Sequence, residues 1–329
     1  MAILRKFNSN IKSEINTGFG ANAADYGGRF VNKDGNSNIE KRGVSIFERI
    51  SWYHWMLNIK RWQFLGVIFI FFICINLFFA FLYDIIGLEH LSGIIKGSGV
   101  RNFIEAFFFS TQTFTTVGYG RINPIGIVTS SVASLEALTG LLSFALITGL
   151  LYGRFSKPKA YLRFSENAVI APYKDITALM LRVAPFKNTN LVDAEVKVTL
   201  GIIIEENGKG VNKFYQLPLE FKSVSSLNLN WTIVHPINEE SPLYNFTNED
   251  FANQHGEIVV YVKAFDDMFS NTVVAQTSYV FKEIVFGAKF NPMYKRSEDN
   301  TKTISYLDKL NSFMLVPLPG MNEKEKEKV

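Results

Sequence analysis

The sequence predicts a membrane α-plus-β chain: two membrane-spanning helices with a short re-entrant helix between them, followed by a C-terminal immunoglobulin-like β-sandwich. Three observations carry this reading. Residues 64–83 (FLGVIFIFFICINLFFAFLY) contain no charged side chain, and a helix of that length covers about 30 Å, the thickness of a bilayer's hydrocarbon core. Residues 127–152 form a second apolar run of sufficient length. Beyond about residue 160, short stretches rich in Val, Ile, Thr and Tyr alternate with turn residues, the pattern of packed strands.

The averages conceal this division. With 47% hydrophobic and 19% charged residues and a mean hydropathy of +0.09, the chain of 329 residues looks almost ordinary. The apolar residues are crowded into the first half. A net charge of +4 is too small to point to nucleic acid. The single cysteine, Cys74, rules out a disulfide within the chain. His54, His90, His235 and His255 are scattered without metal-ligand spacing. The polar, Asn-rich N-terminus has no apolar stretch of the secretory-signal kind.

In chain order, residues 1–43 form a polar N-terminal segment, in which RFVNKDG (residues 29–35) reads as a short extended piece ending in an Asp-Gly turn. Residues 44–160 form the membrane domain. Within 44–59, Ile46, Phe47, Ile50, Trp52, Tyr53, Trp55, Met56 and Leu57 give one broad apolar face. A helix of this kind suits the membrane interface. The second span differs from the first by carrying Ser130, Ser131, Ser134, Glu136, Thr139, Gly140, Ser143, Thr148 and Gly149. An ionisable Glu136 is costly against lipid, so this helix is expected to line a wet cavity or face other helices. Lys60 and Arg61 precede the first span, and Arg154, Lys157, Lys159 and Arg163 follow the second, which puts both termini on the cytoplasmic side. Residues 161–310 form the cytoplasmic β-sandwich, with strands expected at 168–170, 178–183, 194–204, 213–219, 229–234, 257–264 and 273–286. A charged tail, 311–329, closes the chain.

Between the spans, residues 103–114 are apolar but too short to cross. Thr115, Thr116, Val117, Gly118, Tyr119 and Gly120 follow at once. This is the signature of a potassium selectivity filter. A dehydrated ion needs a stack of oxygen rings, so successive carbonyls must face one axis. That conformation passes through left-handed regions, which Gly118 and Gly120 adopt without steric cost. K+ would be held by the backbone carbonyls of Thr116, Val117, Gly118 and Tyr119. Val117 and Tyr119 are expected to point backward and brace the loop on its short helix. One copy supplies one quarter of each ring, so a homotetramer is expected, with K+ as permeant ion and no cofactor. No arginine-bearing sensor helix precedes the spans, and no G-x-G-x-x-G marks a nucleotide-binding domain.

The chain resembles the inward-rectifier potassium channel family over about residues 25–300. RFVNKDGNSNI (29–39), NTNLVDAEVKVTL (188–200), NWTIVHPINEESPLY (230–244) and TSYVFKEIVFGAKF (277–290) carry the resemblance together with the filter. The absence of cysteines flanking the pore loop is similar to the bacterial branch. The resemblance implies a slide helix at 47–57 and an anionic-lipid site at Arg61, Trp62, Arg154, Lys157 and Lys159. It implies glycine bends at Gly140 and Gly149, a gate at Tyr152, and pore-lining roles for Glu136, Phe144 and the loop bearing Asp266 and Asp267. Strong rectifiers carry an acidic residue where Phe144 stands, so block by Mg2+ or polyamines, and hence rectification, is expected to be weak. Glu136 either substitutes for that acid or hydrogen-bonds behind the filter. Gln112 and Arg121 depart from the family's pattern and put an ion pair behind the filter in doubt.

The function expected is passive K+ conduction gated by the cytoplasmic domain and anionic lipid, in a bacterial inner membrane. The alternative is a membrane-anchored ligand-binding sensor with a non-conducting pore. No constellation with nucleophile or metal spacing suggests an enzyme.

Overall fold

The computed structural model describes residues 29–40, 42–45, 51–95, 97–206 and 209–319, without the side chains of residues 205, 206 and 209–211. The expectations for residues 46–50 of the interfacial helix and for most of the N-terminal segment and tail lie outside the described residues. The chain divides into a helical unit, residues 42–157, and a β unit built from the N-terminal segment and residues 158–329.

In the helical unit, α1 (Trp52–Asn58) begins at Ser51, whose side chain accepts from the His54 backbone N–H. The first span, α2 (Arg61–Ile86), and the second, α4 (Ile127–Phe155), each run a few residues past the apolar cores expected for them. Both are long and apolar enough to cross a membrane. Between them lies α3 (Gly99–Phe114), the short helix before the filter. Strands β1 (Leu91–Ser92) and β2 (Asn123–Pro124) pair antiparallel, tying the segment before α3 to the segment after the filter. Phe79, Ala80 and Tyr83 of α2, Ala106 and Phe109 of α3, Ala133 of α4 and Ile122 form the packed centre. Much of the remaining surface of the spans is apolar, including Phe69, Ile70, Leu138, Leu141 and Leu142, all exposed. Such a surface is stable only against lipid or other protein.

In the β unit, one sheet has the order β11 (Asn271–Val280), β10 (Gly256–Asp266), β6 (Leu191–Glu206), β7 (Lys209–Gln216), with β8 (Ser223–Ser226) also on β6. The other joins β12 (Ile284–Phe286), β4 (Ala168–Tyr173) and β5 (Ile176–Pro185), with β3 (Leu162–Phe164) and β9 (Trp231–Ile237) both on β5. Inward-facing Val196, Val198, Leu200, Val260 and Val262 meet Ile170, Leu179, Leu181 and Ile233 in one core, the interdigitation expected of a sandwich. All seven expected strands have a counterpart, but the one expected over 273–286 is broken. The chain leaves β11 at Val280, passes through a short 3-10 turn at Phe281–Glu283 and enters the other sheet as β12. Phe281 meets Phe251 edge to face at 5.0 Å and occupies the space a side chain on Gly256 would need. That anchored ring fixes the crossing.

The N-terminal segment docks on β11. Gln276, Thr277 and Ser278 donate to the carbonyls of Gly35, Lys33 and Val31, and the Glu257 carboxylate accepts from the Phe30 and Val31 N–H groups. Arg29 and Lys33 both pair with Glu283. The Asp-Gly turn forms as expected, with Gly35 at φ 84°.

Potassium-selectivity site and its supports

The filter starts from the end of α3. The Thr115 N–H donates to the Thr111 carbonyl, and the Val117 and Gly118 N–H groups both donate to the Gln112 carbonyl, at 3.0 and 3.2 Å. Gln112 thus clamps the filter entrance through its backbone. Left-handed φ occurs at Thr116 (59°), Gly118 (52°) and Gly120 (79°) and at neither residue between them. Alternation of left- and right-handed residues turns successive carbonyls to the same side, which is what a line of ion sites requires. Left-handed Gly118 and Gly120 were legible in the sequence. Thr116 was not, because a β-branched residue there is strained, and such strain collects at functional sites. The C-terminal end of α3 faces this segment with its negative dipole end, which favours a cation.

Val117 and Tyr119 do not brace the filter within one protomer: they are 54% and 79% exposed. Any bracing must come from a neighbouring copy. The outer end is held by other means. Asn123 donates to the Gly120 carbonyl at 3.0 Å, and the Arg121 guanidinium meets the Glu105 carboxylate at 2.5 Å and the Gly93 carbonyl at 3.3 Å. The ion pair found here, Arg121 with Glu105 on α3, thus lies at the outer end of the filter, and Gln112 takes part through its backbone alone.

The residues grouped as pore-lining separate. Glu136 is fully buried and belongs behind the filter. Its carboxyl accepts from the Tyr83 hydroxyl at 2.6 Å and contacts the Ser110 hydroxyl. The Asn76 amide N–H is committed to the Phe72 carbonyl, leaving its oxygen to accept from Ser110 at 3.0 Å. The one Ser110 hydroxyl thus stands between two acceptors, the Asn76 amide oxygen and the Glu136 carboxyl. Glu136 thus ties α4 to α3 and α2 and lines no path in the protomer. Gly140 is likewise buried, against the end of α3: a Cβ there would lie 1.9 Å from the Phe114 carbonyl oxygen. Close approach, not bending, explains this glycine. Gly149 has nothing within 4 Å of a Cβ. Phe144 and Tyr152 are exposed on α4, 72% and 74%, free to face a shared axis.

The cations assigned to lipid are also unequal. Arg154 donates to the Met56 and Ile59 carbonyls at 2.5 and 2.7 Å and stacks on Phe64, fastening α1 to α4. Lys157 reaches the Asn58 side chain at 2.8 Å. Arg61, Trp62 and Lys159 are exposed. In the β unit, Asp266 is fully buried and accepts from the Met268 and Phe269 N–H groups. It shapes the turn between β10 and β11 and does not line a pore; Asp267 is exposed and bonds Asn190 at 3.3 Å.

Two spans around a re-entrant helix, with an alternating-φ filter and an attached β-sandwich, define a potassium channel subunit of the two-span class. A family profile for the inward rectifier potassium channel C-terminal domain matches residues 162–329, and one for ion channels matches residues 67–157. The chain is 32% identical over 281 residues to the inward rectifier potassium channel Kirbac3.1 of Paramagnetospirillum magnetotacticum, covering 84% of this chain and 92% of that one. It is 26% identical to the ATP-sensitive inward rectifier potassium channel 12 of Gallus gallus (83% and 69% covered). It is 28% identical to the G protein-activated inward rectifier potassium channel 4 of Bos taurus (80% and 68% covered). The chain belongs to the inward rectifier potassium channel family. This is a family of ion channels and not of enzymes, and K+ is its permeant ion.

Proposed function

We propose that four copies surround one axis and conduct K+ passively, in single file, through the carbonyls of Thr116, Val117, Gly118 and Tyr119. The observation that carries this is the left-handed φ at every second residue of the filter. The exposure of Val117 and Tyr119 supports fourfold assembly, because neighbouring copies would bury both. Phe144 in place of an acid supports weak block by Mg2+ and polyamines.

Exposed Arg61, Lys157 and Lys159 gain about 1 kcal/mol each beside an anionic leaflet. In the proposed gate, lipid bound there shifts α1, and Arg154 passes the shift to α4 and the Tyr152 constriction. Both termini are cytoplasmic, and the membrane is the bacterial inner membrane. Tracer flux into liposomes holding purified channel tests conduction: potassium uptake exceeding sodium uptake is expected, and equal uptake overturns it. Planar-bilayer recordings with and without phosphoinositide test the lipid step, which fails if open probability is unchanged.

A further inference from the structure

Arg182 lies on β5 with its backbone bonded to Ser165. The residue is 6% exposed. The guanidinium stacks on Phe290 at 4.6 Å. Its Nε and Nη1 have no hydrogen-bond partner, and no carboxylate pairs with it among the described residues. Burial alone pulls its pKa down to about 10, so it remains a cation at neutral pH. A buried, unpaired cation is among the most costly groups a fold can hold, and native structures pair or ligate such groups.

The side chain borders a cavity of about 570 Å³, within the range of small-molecule sites. Trp231, Phe290, Pro292 and Tyr294 supply flat apolar walls, and Asn230 contributes a buried side-chain oxygen that also lacks a partner. One cation with free donors, one free acceptor and aromatic walls form a complementary set.

We propose that this cavity binds a small organic anion: a carboxylate or phosphate ester on a planar apolar body, its acid group on Arg182 and a donor group on Asn230. A planar body suits the aromatic walls. The depth of Arg182 favours a small ligand over a side chain reaching in from a neighbouring subunit. The site lies wholly in the β unit and does not depend on the conduction reading.

The test uses the intact purified channel in detergent, with para-hydroxybenzoate and phenyl phosphate as probes and neutral para-hydroxybenzamide as control. The two anions should give saturable quenching of Trp231 fluorescence and, at ten times Kd, a Tm rise of about 3–5 °C; the amide should give neither. Arg182→Gln should abolish both responses without lowering the Tm of the ligand-free channel, since it removes an unpaired buried charge. If Arg182→Gln lowers that Tm and the wild type ignores the anions, a neighbouring subunit's carboxylate pairs Arg182 and the proposal falls. It falls equally if anion and amide act alike on the wild type, a result that needs no folded variant. Trp231→Phe, which keeps a flat wall, should remove the quenching and retain the Tm shift.

Discussion

Gly140→Ala and Gly149→Ala separate two explanations for the glycines of the second span. At Gly140 a Cβ would stand 1.9 Å from the Phe114 carbonyl oxygen and 2.8 Å from its carbon, where contacts under 3.0 Å are essentially never seen. Relief requires a shift of about 1 Å in backbone, since the obstructing atoms are not a flexible side chain. Phe114 ends α3, and Thr115 and Thr116 follow it directly, so the shift is delivered to the innermost ion site. Overpacking of this kind costs about 1–3 kcal/mol. If the strain is relieved by leaving the conducting geometry, the competent population falls about 5- to 150-fold. At Gly149 the added methyl meets nothing within 4 Å, and Ala favours the helix by about 1 kcal/mol. The assay is rubidium tracer flux into liposomes, normalised to tetramer recovered by size-exclusion chromatography. Gly140→Ala should assemble and lose flux, while Gly149→Ala should stay within about twofold of wild type. Wild-type flux through Gly140→Ala would refute the close-approach argument, and a silent, assembled Gly149→Ala would restore bending at that position.

Three further outcomes follow from the structure. Glu136→Gln keeps an oxygen acceptor for Tyr83 and a polar amide group beside Ser110, so it should change thermal stability by less than about 1 kcal/mol, whereas Glu136→Ala strands both hydroxyls and should cost about 2–4 kcal/mol in a detergent melt. His235 donates from Nδ1 to the Pro218 carbonyl at 2.6 Å and accepts at Nε2 from Ser241 at 2.7 Å, and burial holds its pKa down at about 4. The unfolded imidazole takes its proton near 6.5, so stability should be complete above that pH and fall by about 3 kcal/mol per subunit toward pH 4; acid unfolding should be shallower in His235→Gln. Arg154→Ala should free the Met56 and Ile59 carbonyls, speed hydrogen exchange in α1 and blunt the response to anionic lipid, while Lys159→Ala should affect lipid response alone.

What the sequence made legible was local. An uncharged run from 64 to 83 announces a span by itself, and the Gly spacing at 118 and 120 announces the filter, because each rests on properties of adjacent residues. The supports of the filter are not local. Asn76, Ser110 and Glu136 sit on three helices, and no spacing rule joins residues 26 and 34 positions apart. For Glu136 the sequence left a pore acid and a hydrogen bond behind the filter both open, because an ionisable group in an apolar helix must face something polar; the structure supplies that polar environment from within the protomer. Asp266 misled in the same manner, since an acid beside Asp267 in a turn reads as exposed charge until its bonds to the Met268 and Phe269 N–H groups are seen.

Arg182 poses the opposite case. It stands in the run LMLRVAP between residues that are buried in the finished strand, and a cation at such a position is a local anomaly that needed no fold to be noticed. The same question can be put to it and to Glu136: what satisfies a charged residue type inside an apolar element? For Glu136 the answer lies in Tyr83 and Ser110, and the group is structural. For Arg182 the described residues supply an aromatic face and an open cavity but no acceptor for Nε or Nη1. A residue whose requirement is met inside the protomer can be exchanged for a neutral isostere with little effect. One whose requirement is unmet should gain from exchange when nothing is bound and lose only the capacity to bind. Opposite signs of the ligand-free stability change in Glu136→Ala and Arg182→Gln would therefore distinguish support from recognition.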